Sequence, residues 1–460
     1  MRILTDRTPP KRIPRVIFRQ QSEHVSSQTD AVGRSSLELG VGPTATLTRR
    51  QFILALRRVV IVAKEQKWTG LAIDFRALRS LVKEVPEVEL AELLAVNFLL
   101  ADYAFEHYKT EPDKGFPHVK TVYLMNADTS RVRNGLRRGK IIGEETNQAR
   151  HIATMPASEM TPALLARHAR QTFRKLPVRV TIWNEREIER QGMAGVIAVG
   201  KGSVSKPRFI ILEYRGDKRG ALPTVLIGKG VTFDAGGINL KPSTAILGMN
   251  MDMSGGASVI HTLAACARLK LKQNIIALIP AVENMISGES YRPGDIIRTL
   301  SGKTVEVQDT DAEGRIILAD TLTWAAKYHP RLVIDVATLT GSAMVALGER
   351  SSAIFTEDEA LETKLRHIGL AVGDPVWPLP LWDEYLDDIK GTYADIANVG
   401  NTKWGGAITA AMFLKQFVTY PWAHIDIAPR MMTISGEHLA KGSVGAGVQL
   451  LVRFLAGSGT

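Results

Sequence analysis

Cysteine is almost absent from this chain of 460 residues, which contains only Cys266. A single thiol excludes an intramolecular disulfide framework and any zinc or iron–sulfur site built from several cysteines. Nothing in the cysteine content requires an oxidising compartment, so we expect the protein in the cytoplasm.

Long apolar runs are also missing. Residues 1–17 contain arginines and three prolines but no apolar stretch, and so lack the hydrophobic region of a secretory signal. The most apolar helical stretch, residues 90–105, carries two carboxylates and an asparagine and is too short to span a bilayer. The sequence therefore predicts neither export nor a membrane partner.

The overall composition is that of a folded protein. Hydrophobic residues make up 45% and charged residues 23% of the chain, and 39 glycines and 21 prolines are scattered without a repeat. These values exclude collagen-like, low-complexity and wholly disordered chains. At about 100 to 200 residues per domain, the length predicts two to four domains.

Positive charge is concentrated near the start of the chain. Residues 1–60 contain eleven Lys and Arg against four Asp and Glu, although the whole chain carries a net charge of only +11. No nucleic-acid-binding motif accompanies this charge. We expect residues 1–45 to form a basic, flexible arm, and contact of this arm with nucleic acid or anionic lipid stays open as an alternative.

Helix and strand patterns alternate along the rest of the chain. Residues 46–150 predict a smaller N-terminal α/β domain that ends in a long linker helix, 129–153, just before Pro156. Residues 151–460 predict a larger C-terminal domain, in which near-continuous apolar strands alternate with helices. This pattern is typical of a mixed, largely parallel sheet flanked by helices. The predicted strands are 178–183, 209–214, 224–227, 275–280, 304–308 and 332–336.

Acidic residues follow two of these strands. Asp234 follows strand 224–227 after a Gly-Lys-Gly turn and precedes two glycines, and the Asp309–Arg315 segment leaves strand 304–308. Asp252 lies between methionines, ahead of two glycines that open a helix. Open α/β sheets bind ligands at the carboxyl ends of their strands. On their own, the acids of 309–315 could equally be ordinary helix N-terminal carboxylates.

Taken together, four of these carboxylates favour a metal site: Asp234, Asp252, Asp311 and Glu313. They would repel one another unless cations lie between them. Oxygen ligands without cysteine suit Mg²⁺, Mn²⁺ or a carboxylate-bound Zn²⁺, and no H-E-x-x-H motif competes with this interpretation. Lys229, Lys241 and Arg315 lie in the same loops and could stabilise an oxyanion. The pattern therefore predicts metal-assisted hydrolysis.

At these residues the sequence resembles the leucine aminopeptidases, also called cytosol aminopeptidases, which are two-metal exopeptidases. The family signature N-T-D-A-E-G-R is matched by residues 309–315, with Asp309 in place of the leading Asn. The G-K-G-x-T-F-D-x-G-G segment is matched by residues 228–237. The resemblance extends from about Gly143 to Phe454, whereas the first 140 residues share only a general α/β character.

The resemblance implies a C-terminal catalytic domain that removes the N-terminal residue from peptides with a free N-terminus. In the family, a metal-bridging water or hydroxide attacks the scissile carbonyl. The implied cofactors are two divalent ions, Zn²⁺ or Mn²⁺ with Mg²⁺ as a further candidate. Asp234 and Glu313 would bridge both ions, Asp311 would complete the first site, and Lys229 and Asp252 would complete the second. Lys229 would bind as a neutral amine, because burial and nearby dications lower its pKa.

The resemblance also implies roles around the metals. Lys241 would polarise the scissile carbonyl, and Arg315 would hold a bicarbonate ion that acts as general base. The pocket for the N-terminal side chain would be lined by Met249, Thr338, Leu339 and Gly341. Met249 could equally be a gap-filling core residue. By the same resemblance, we expect a cytoplasmic homohexamer.

Two departures from the family pattern affect selectivity. Asp309 adds a negative charge beside the expected metals, and residues 428–437 differ at the expected pocket wall. Two alternatives to the peptidase stay open: an aminopeptidase-fold protein that binds nucleic acid through its basic arm, and another two-metal hydrolase such as a phosphatase. Nucleotide binding is disfavoured, because the glycines around Lys229 and Lys201 continue as neither G-x-G-x-x-G nor G-x-x-x-x-G-K-[ST].

Overall fold

The computed structural model describes residues 1–5, 7–20, 24–30, 34–110, 116–217 and 219–457. The chain forms two compact units. Unit 1 comprises Met1–Asn147 and Thr433–Lys441, and unit 2 comprises Gln148–Met432 and Gly442–Thr460. The chain passes from one unit to the other close to the predicted boundary at 150, but the prediction did not anticipate that the short segment 433–441 belongs to unit 1.

Unit 1 is built on a six-stranded sheet with the strand order β1-β6-β5-β2-β4-β3. Its strands are β1 (Arg2–Leu4), β2 (Arg15–Arg19), β3 (Val25–Thr29), β4 (Ser35–Gly40), β5 (Gly70–Asp74) and β6 (Thr121–Met125). Its helices are α1 (Arg49–Glu65), α2 (Phe75–Leu81), α3 (Glu87–Asp102) and the first part of α4 (Ser130–Thr154). Apolar side chains of α1 and α3 pack with those of the sheet in one core.

The prediction of a flexible arm over residues 1–45 is wrong for the described residues, because four strands of this sheet lie there. β2 pairs in parallel with both β4 and β5, and therefore lies inside the sheet. The segment is anchored by a few apolar side chains, since Val16, Leu37 and Leu39 are buried. Such short, polar strands bury too few residues to give a clear alternating pattern. Residues 6, 21–23 and 31–33 of the expected arm lie outside the described residues.

Unit 2 contains the mixed, largely parallel sheet that the sequence predicts. The strand order is β16-β15-β18-β14-β9-β11-β8-β7, and β10 pairs with β11. The strands are β7 (Val178–Trp183), β8 (Arg208–Arg215), β9 (Thr224–Gly228), β10 (Gly230–Asp234), β11 (Asn274–Asn284), β14 (Leu332–Ala337), β15 (Ser352–Phe355), β16 (Val376–Pro378) and β18 (Trp422–Asp426). A small separate sheet contains β12 (Ile296–Arg298), β13 (Thr304–Glu306) and β17 (Ile396–Ala397).

Helices flank this sheet: α5 (Pro162–Phe173), α6 (Glu185–Arg190), α7 (Ala194–Gly200), α8 (Ser243–Ile246), α9 (Ser254–Leu269), α10 (Glu313–Ala325), α11 (Gly341–Leu347), α12 (Glu359–Val372), α13 (Gly406–Lys415) and α14 (Val448–Ala456). The central strands are buried along their whole length, as expected for a sheet that is covered on both faces. The parallel strands β9, β14 and β18 end at the same edge, and their loops form the candidate site. Across the described residues, no helix has the length and hydropathy needed to cross a membrane.

Candidate active site

A cavity of about 420 Å³ lies at the carboxyl ends of these strands. Ten of the eleven residues that sequence reasoning assigned to the site line it. They are Lys229, Asp234, Lys241, Met249, Asp252, Asp311, Arg315, Thr338, Leu339 and Gly341. The eleventh, Glu313, is buried and lies 2.7 Å from the Lys229 Nζ atom through its Oε1 atom. The structure therefore brings all eleven into one place.

Three buried carboxylates form the centre of the cluster. Asp234, Asp252 and Glu313 each present an oxygen, and these oxygens all lie within 4.8 Å of one another. Asp234 is the last residue of β10, and Glu313 is the first residue of α10. Asp252 belongs to a 3-10 turn, Met249–Met253, ahead of α9. Such an arrangement of oxygen ligands could hold a metal ion.

Two lysines neutralise part of this negative charge. The Nζ atom of Lys229 lies 2.9 Å from Asp252 Oδ2 and 2.7 Å from Glu313 Oε1. The Nζ atom of Lys241 lies 2.8 Å from Asp234 Oδ2 and 2.5 Å from Asp311 Oδ1. Each ammonium group therefore contacts a different pair of carboxylates.

The two lysines differ in their access to the cavity. The Lys229 side chain is 3% exposed, and its ammonium group also donates a hydrogen bond of 2.8 Å to the Thr338 carbonyl oxygen. The Lys241 side chain is 14% exposed. Both lysines line the cavity, but Lys229 is the more enclosed of the two.

The pKa values in the cluster reflect an excess of negative charge. Burial, together with the neighbouring carboxylates of Asp234 and Glu313, raises the pKa of Asp311 to about 7, against the opposing effect of Lys241. Burial lowers the pKa of Lys229, but the surrounding carboxylates outweigh this effect and raise it above its usual value. Four carboxylates and two ammonium groups together carry an excess of negative charge, which divalent cations would neutralise.

Unsatisfied oxygens lead to the same conclusion. Among the described residues, the buried atoms Asp252 Oδ2, Asp311 Oδ1 and Glu313 Oε1 contact lysine ammonium groups as ion pairs but have no partner with hydrogen-bond geometry. Buried carboxylate oxygens normally accept hydrogen bonds or coordinate metal ions. The donor set therefore fits a divalent metal centre.

Arg315, the third residue of α10, is buried in the cavity wall close to the acids. Its Nη1 atom donates a hydrogen bond of 2.7 Å to the Asn398 carbonyl oxygen, whereas its Nε atom has no hydrogen-bond partner among the described residues. Burial lowers the pKa of its guanidinium group to about 10, against the opposing effect of nearby carboxylates such as Glu313. A guanidinium with a free donor suits a small anion such as a carboxylate or bicarbonate.

Sequence reasoning missed several residues that shape the site. Asn284, the last residue of β11, donates a hydrogen bond of 2.9 Å to Asp234 Oδ1 and thereby fixes that carboxylate. It could have been found by the same argument from strand ends that identified Asp234. Ala428 and Met431 line the cavity and come from the 428–437 segment, which had been noted only as a departure from the family pattern.

Comparisons with known proteins agree with this geometry. The family described as "Cytosol aminopeptidase family, catalytic domain" matches residues 147–452. A protein of Geobacter sulfurreducens named "Probable cytosol aminopeptidase" is 45% identical over 375 residues, which cover 81% of this chain and 75% of the relative. One of the same name from Roseiflexus castenholzii is 40% identical over 446 residues, which cover 93% of this chain and 91% of the relative.

Solved structures share the fold of this chain. "Bottromycin maturation enzyme BotP" superposes with a TM-score of 0.87 at 30% sequence identity, and the match covers 96% of this chain and 98% of that chain. A second structure of that enzyme is described as a complex with Mn and has the same TM-score and identity. The family match and the relatives together show that this chain belongs to the cytosol aminopeptidase family and is a leucyl-type aminopeptidase, a hydrolase that acts on peptides.

Proposed function

We propose that this aminopeptidase releases the N-terminal residue of peptides at a centre of two divalent metal ions. The observation that carries the proposal is the cluster of buried carboxylates in the cavity, whose charge exceeds that of the two lysines beside them. A peptide with a free N-terminus suits this cavity, because its amino group can interact with the acidic cluster. When bound, the ions would activate a water molecule for attack and polarise the scissile carbonyl.

The proposed ligands follow the contacts in the cluster. Asp234 and Glu313 lie at its centre and would each contact both ions. Asp311 would complete the first site, and Asp252 together with Lys229 would complete the second. The contact of Lys229 with Asp252 and Glu313, but not with Asp311, supports its place in the second site. The ions we expect are Zn²⁺ or Mn²⁺, with Mg²⁺ as a further candidate, since all the other ligands are carboxylate oxygens.

Two cationic residues would act on the substrate. Lys241 reaches the cavity and would donate a hydrogen bond to the scissile carbonyl oxygen as negative charge develops there. Arg315 would hold a bicarbonate ion through its unused Nε donor, and the bound anion would supply a general base beside the acidic cluster. Both groups would stabilise the transition state more than the ground state.

The side chain of the substrate's N-terminal residue would enter the part of the cavity that is lined by Met249, Thr338, Leu339 and Gly341. Gly341 leaves room there, since a Cβ atom at this position would meet no atom within 4 Å. The Met249 side chain lines the cavity, which supports a role in substrate contact over that of a core residue.

The two alternative functions are less well supported. The basic N-terminal residues that suggested nucleic-acid binding include the strands β1 to β4, and one of their arginines, Arg19, pairs with Glu38 at 2.6 Å. The comparisons identify peptidases rather than phosphatases. We also propose a homohexamer in the cytoplasm, supported by the family membership and by relatives named cytosol aminopeptidases. Light scattering coupled to gel filtration would test the hexamer.

Chelation should remove the activity reversibly. After dialysis against a chelator, release of leucine from leucinamide should fall to background, and it should return on addition of Zn²⁺, Mn²⁺ or Mg²⁺, because the carboxylate cluster alone cannot activate water. Released amino acid and bound metal per chain are measured on the same samples. Full activity in a sample shown by elemental analysis to be free of metal would contradict the proposal.

Gly314 is not a proposed metal ligand, but its substitution should disturb the proposed metal centre. A Cβ atom at Gly314 would lie 2.7 Å from Lys229 Cε and 2.8 Å from its Nζ, so Gly314→Ala should displace the lysine. A misplaced ligand should lower kcat/KM on the order of 10²-fold. Gly288→Ala is a matched control, because its Cβ would meet no atom within 4 Å. Equal activities of the two variants, measured with leucinamide, would contradict the expected displacement.

A further inference from the structure

Asp426 holds together two loops of the cavity wall. It is the last residue of β18 and is completely buried. Its Oδ1 atom accepts hydrogen bonds of 3.0 Å from the backbone N–H groups of both Leu339 and Ala428. Its Oδ2 atom accepts one of 2.7 Å from the Thr340 hydroxyl. All three donor residues line the cavity, whereas Asp426 lies behind them.

The two loops begin at the ends of β14 and β18. In the parallel register of these strands Ala337 lies opposite Asp426, and the loops leave the sheet immediately afterwards. Ile427 still donates a hydrogen bond to the Ala337 carbonyl oxygen at 2.8 Å. Past that point, the Asp426 carboxylate is the group that ties Leu339 to Ala428, through a shared oxygen.

The same carboxylate also accepts a hydrogen bond from Thr340, the residue that caps the N-terminus of helix α11. The Thr340 hydroxyl donates to Asp426 and accepts a hydrogen bond of 3.0 Å from the Ala343 N–H group, which caps the helix. The first residues of α11, including Gly341 and Ser342, line the cavity. A change at Asp426 would therefore reach the pocket wall through three separate connections.

Burial of a carboxylate is costly, and burial indeed raises the pKa of Asp426 above its usual value. Hydrogen bonds to a charged acceptor are stronger than those to a neutral one, so this group can fix three donors that an apolar side chain would leave unpaired. Its hydrogen bonds are all with pocket-lining residues, and its charge also acts on the buried side chains of His424 and Arg315. The hydrogen bonds suit a role in shaping the pocket.

We propose that Asp426 is a positioning residue that determines which N-terminal side chains the enzyme accepts, by fixing Leu339, Thr340 and Ala428 in the pocket wall. The inference rests on the proposed function, which assigns this wall to the side chain of the N-terminal residue. Its consequence is a change of selectivity without a comparable change in the rate of chemistry.

Asp426→Asn is the first test, because it keeps the shape of the side chain but removes its charge and one acceptor. The ratio of kcat/KM for leucinamide to that for alaninamide should change by roughly tenfold, the effect of about one charge-assisted hydrogen bond. The change should appear mainly in KM for leucinamide. If both substrates lose activity by the same factor, or the ratio stays at the wild-type value, the inference is overturned.

A second pair of variants keeps the test decisive if Asp426→Asn does not fold. Thr340→Val removes one donor to Asp426 and should shift the ratio of kcat/KM for leucinamide to that for alaninamide. Thr340→Ser keeps the hydroxyl, so its ratio should lie closer to the wild-type value than that of Thr340→Val. Equal ratios for the Val and Ser variants would overturn the inference.

Met249→Ala separates failure of the inference from failure of the proposed pocket. If Met249→Ala changes the leucinamide to alaninamide ratio while Asp426→Asn does not, the pocket assignment stands and only the role of Asp426 is wrong. If neither variant changes the ratio, the pocket assignment fails together with the inference that rests on it.

Discussion

Replacing Asp234 or Glu313 with alanine should lower kcat by more than the roughly 10²- to 10³-fold that loss of one electrostatic contact costs in such sites. Both carboxylates lie at the centre of the acidic cluster, and each would contact both ions under the proposed assignment. Loss of either should therefore weaken two metal sites at once. The measurements are kcat on leucinamide and metal bound per chain.

Fold integrity has to be established alongside these rates. Each variant removes a buried charge from a cluster rich in negative charge, so we expect the folded state to survive, as checked by circular dichroism and thermal unfolding. Glu289→Ala is the control, since its side chain is 76% exposed and lies outside the cavity. A kcat near that of the wild type for Asp234→Ala or Glu313→Ala would show that the bridging assignment is wrong.

Part of the candidate site could be located from the sequence because parallel strands bring their carboxyl ends to one edge of a sheet. Predicted strands 224–227 and 304–308 correspond to β9 and β13, which the structure places at Thr224–Gly228 and Thr304–Glu306. The acids converge as expected, but β13 belongs to the small separate sheet and not to the parallel sheet that contains β9. The argument from shared strand ends therefore accounts for Asp234, at the end of β10, and not for residues 309–315.

One detail of this region could not be predicted. β9 and β10 are separate strands with Lys229 between them, and the pairing of β10 with β11 contains an irregularity between Val231 and Phe233. The break places the Lys229 backbone N–H against the Val336 carbonyl oxygen at 3.0 Å. The sequence predicts the break itself, as a Gly-Lys-Gly turn after strand 224–227, but it does not predict that the five residues Gly230–Asp234 form a second strand, because their pairing depends on β11.

Contacts between residues far apart in the sequence also could not be predicted. Glu437 is buried in unit 1, where its carboxylate lies 2.9 Å from Arg50 and 3.3 Å from Arg57. These arginines are more than 370 residues away along the chain. From the sequence, the region around Glu437 showed only that it departs from the family pattern. Nothing local indicates a partner at that distance, which is why the place of segment 433–441 in unit 1 was missed.

The structure gives Lys229 and Lys241 similar partners but different surroundings, and this difference separates their proposed roles. Lys229 is enclosed by the Thr338 carbonyl oxygen and by two carboxylates that would themselves hold metal under the proposed assignment. Lys241 contacts Asp234 and Asp311 and is more exposed than Lys229, so a substrate carbonyl could reach it. A ligand can be replaced by water at a cost in affinity, but an electrophilic group cannot be replaced by more metal.

Lys229→Ala should therefore lose part of its metal and recover part of its activity at high metal concentration. Lys241→Ala should keep both ions and show no response to added metal. Its defect should appear mainly in kcat, since Lys241 would interact more strongly with the developing oxyanion than with the ground-state carbonyl, and the loss should be on the order of 10²-fold or more. Elemental analysis of both variants, read together with kcat, decides between the roles. Two ions bound in Lys229→Ala, or one ion missing from Lys241→Ala, would mean that the roles of the two lysines are reversed.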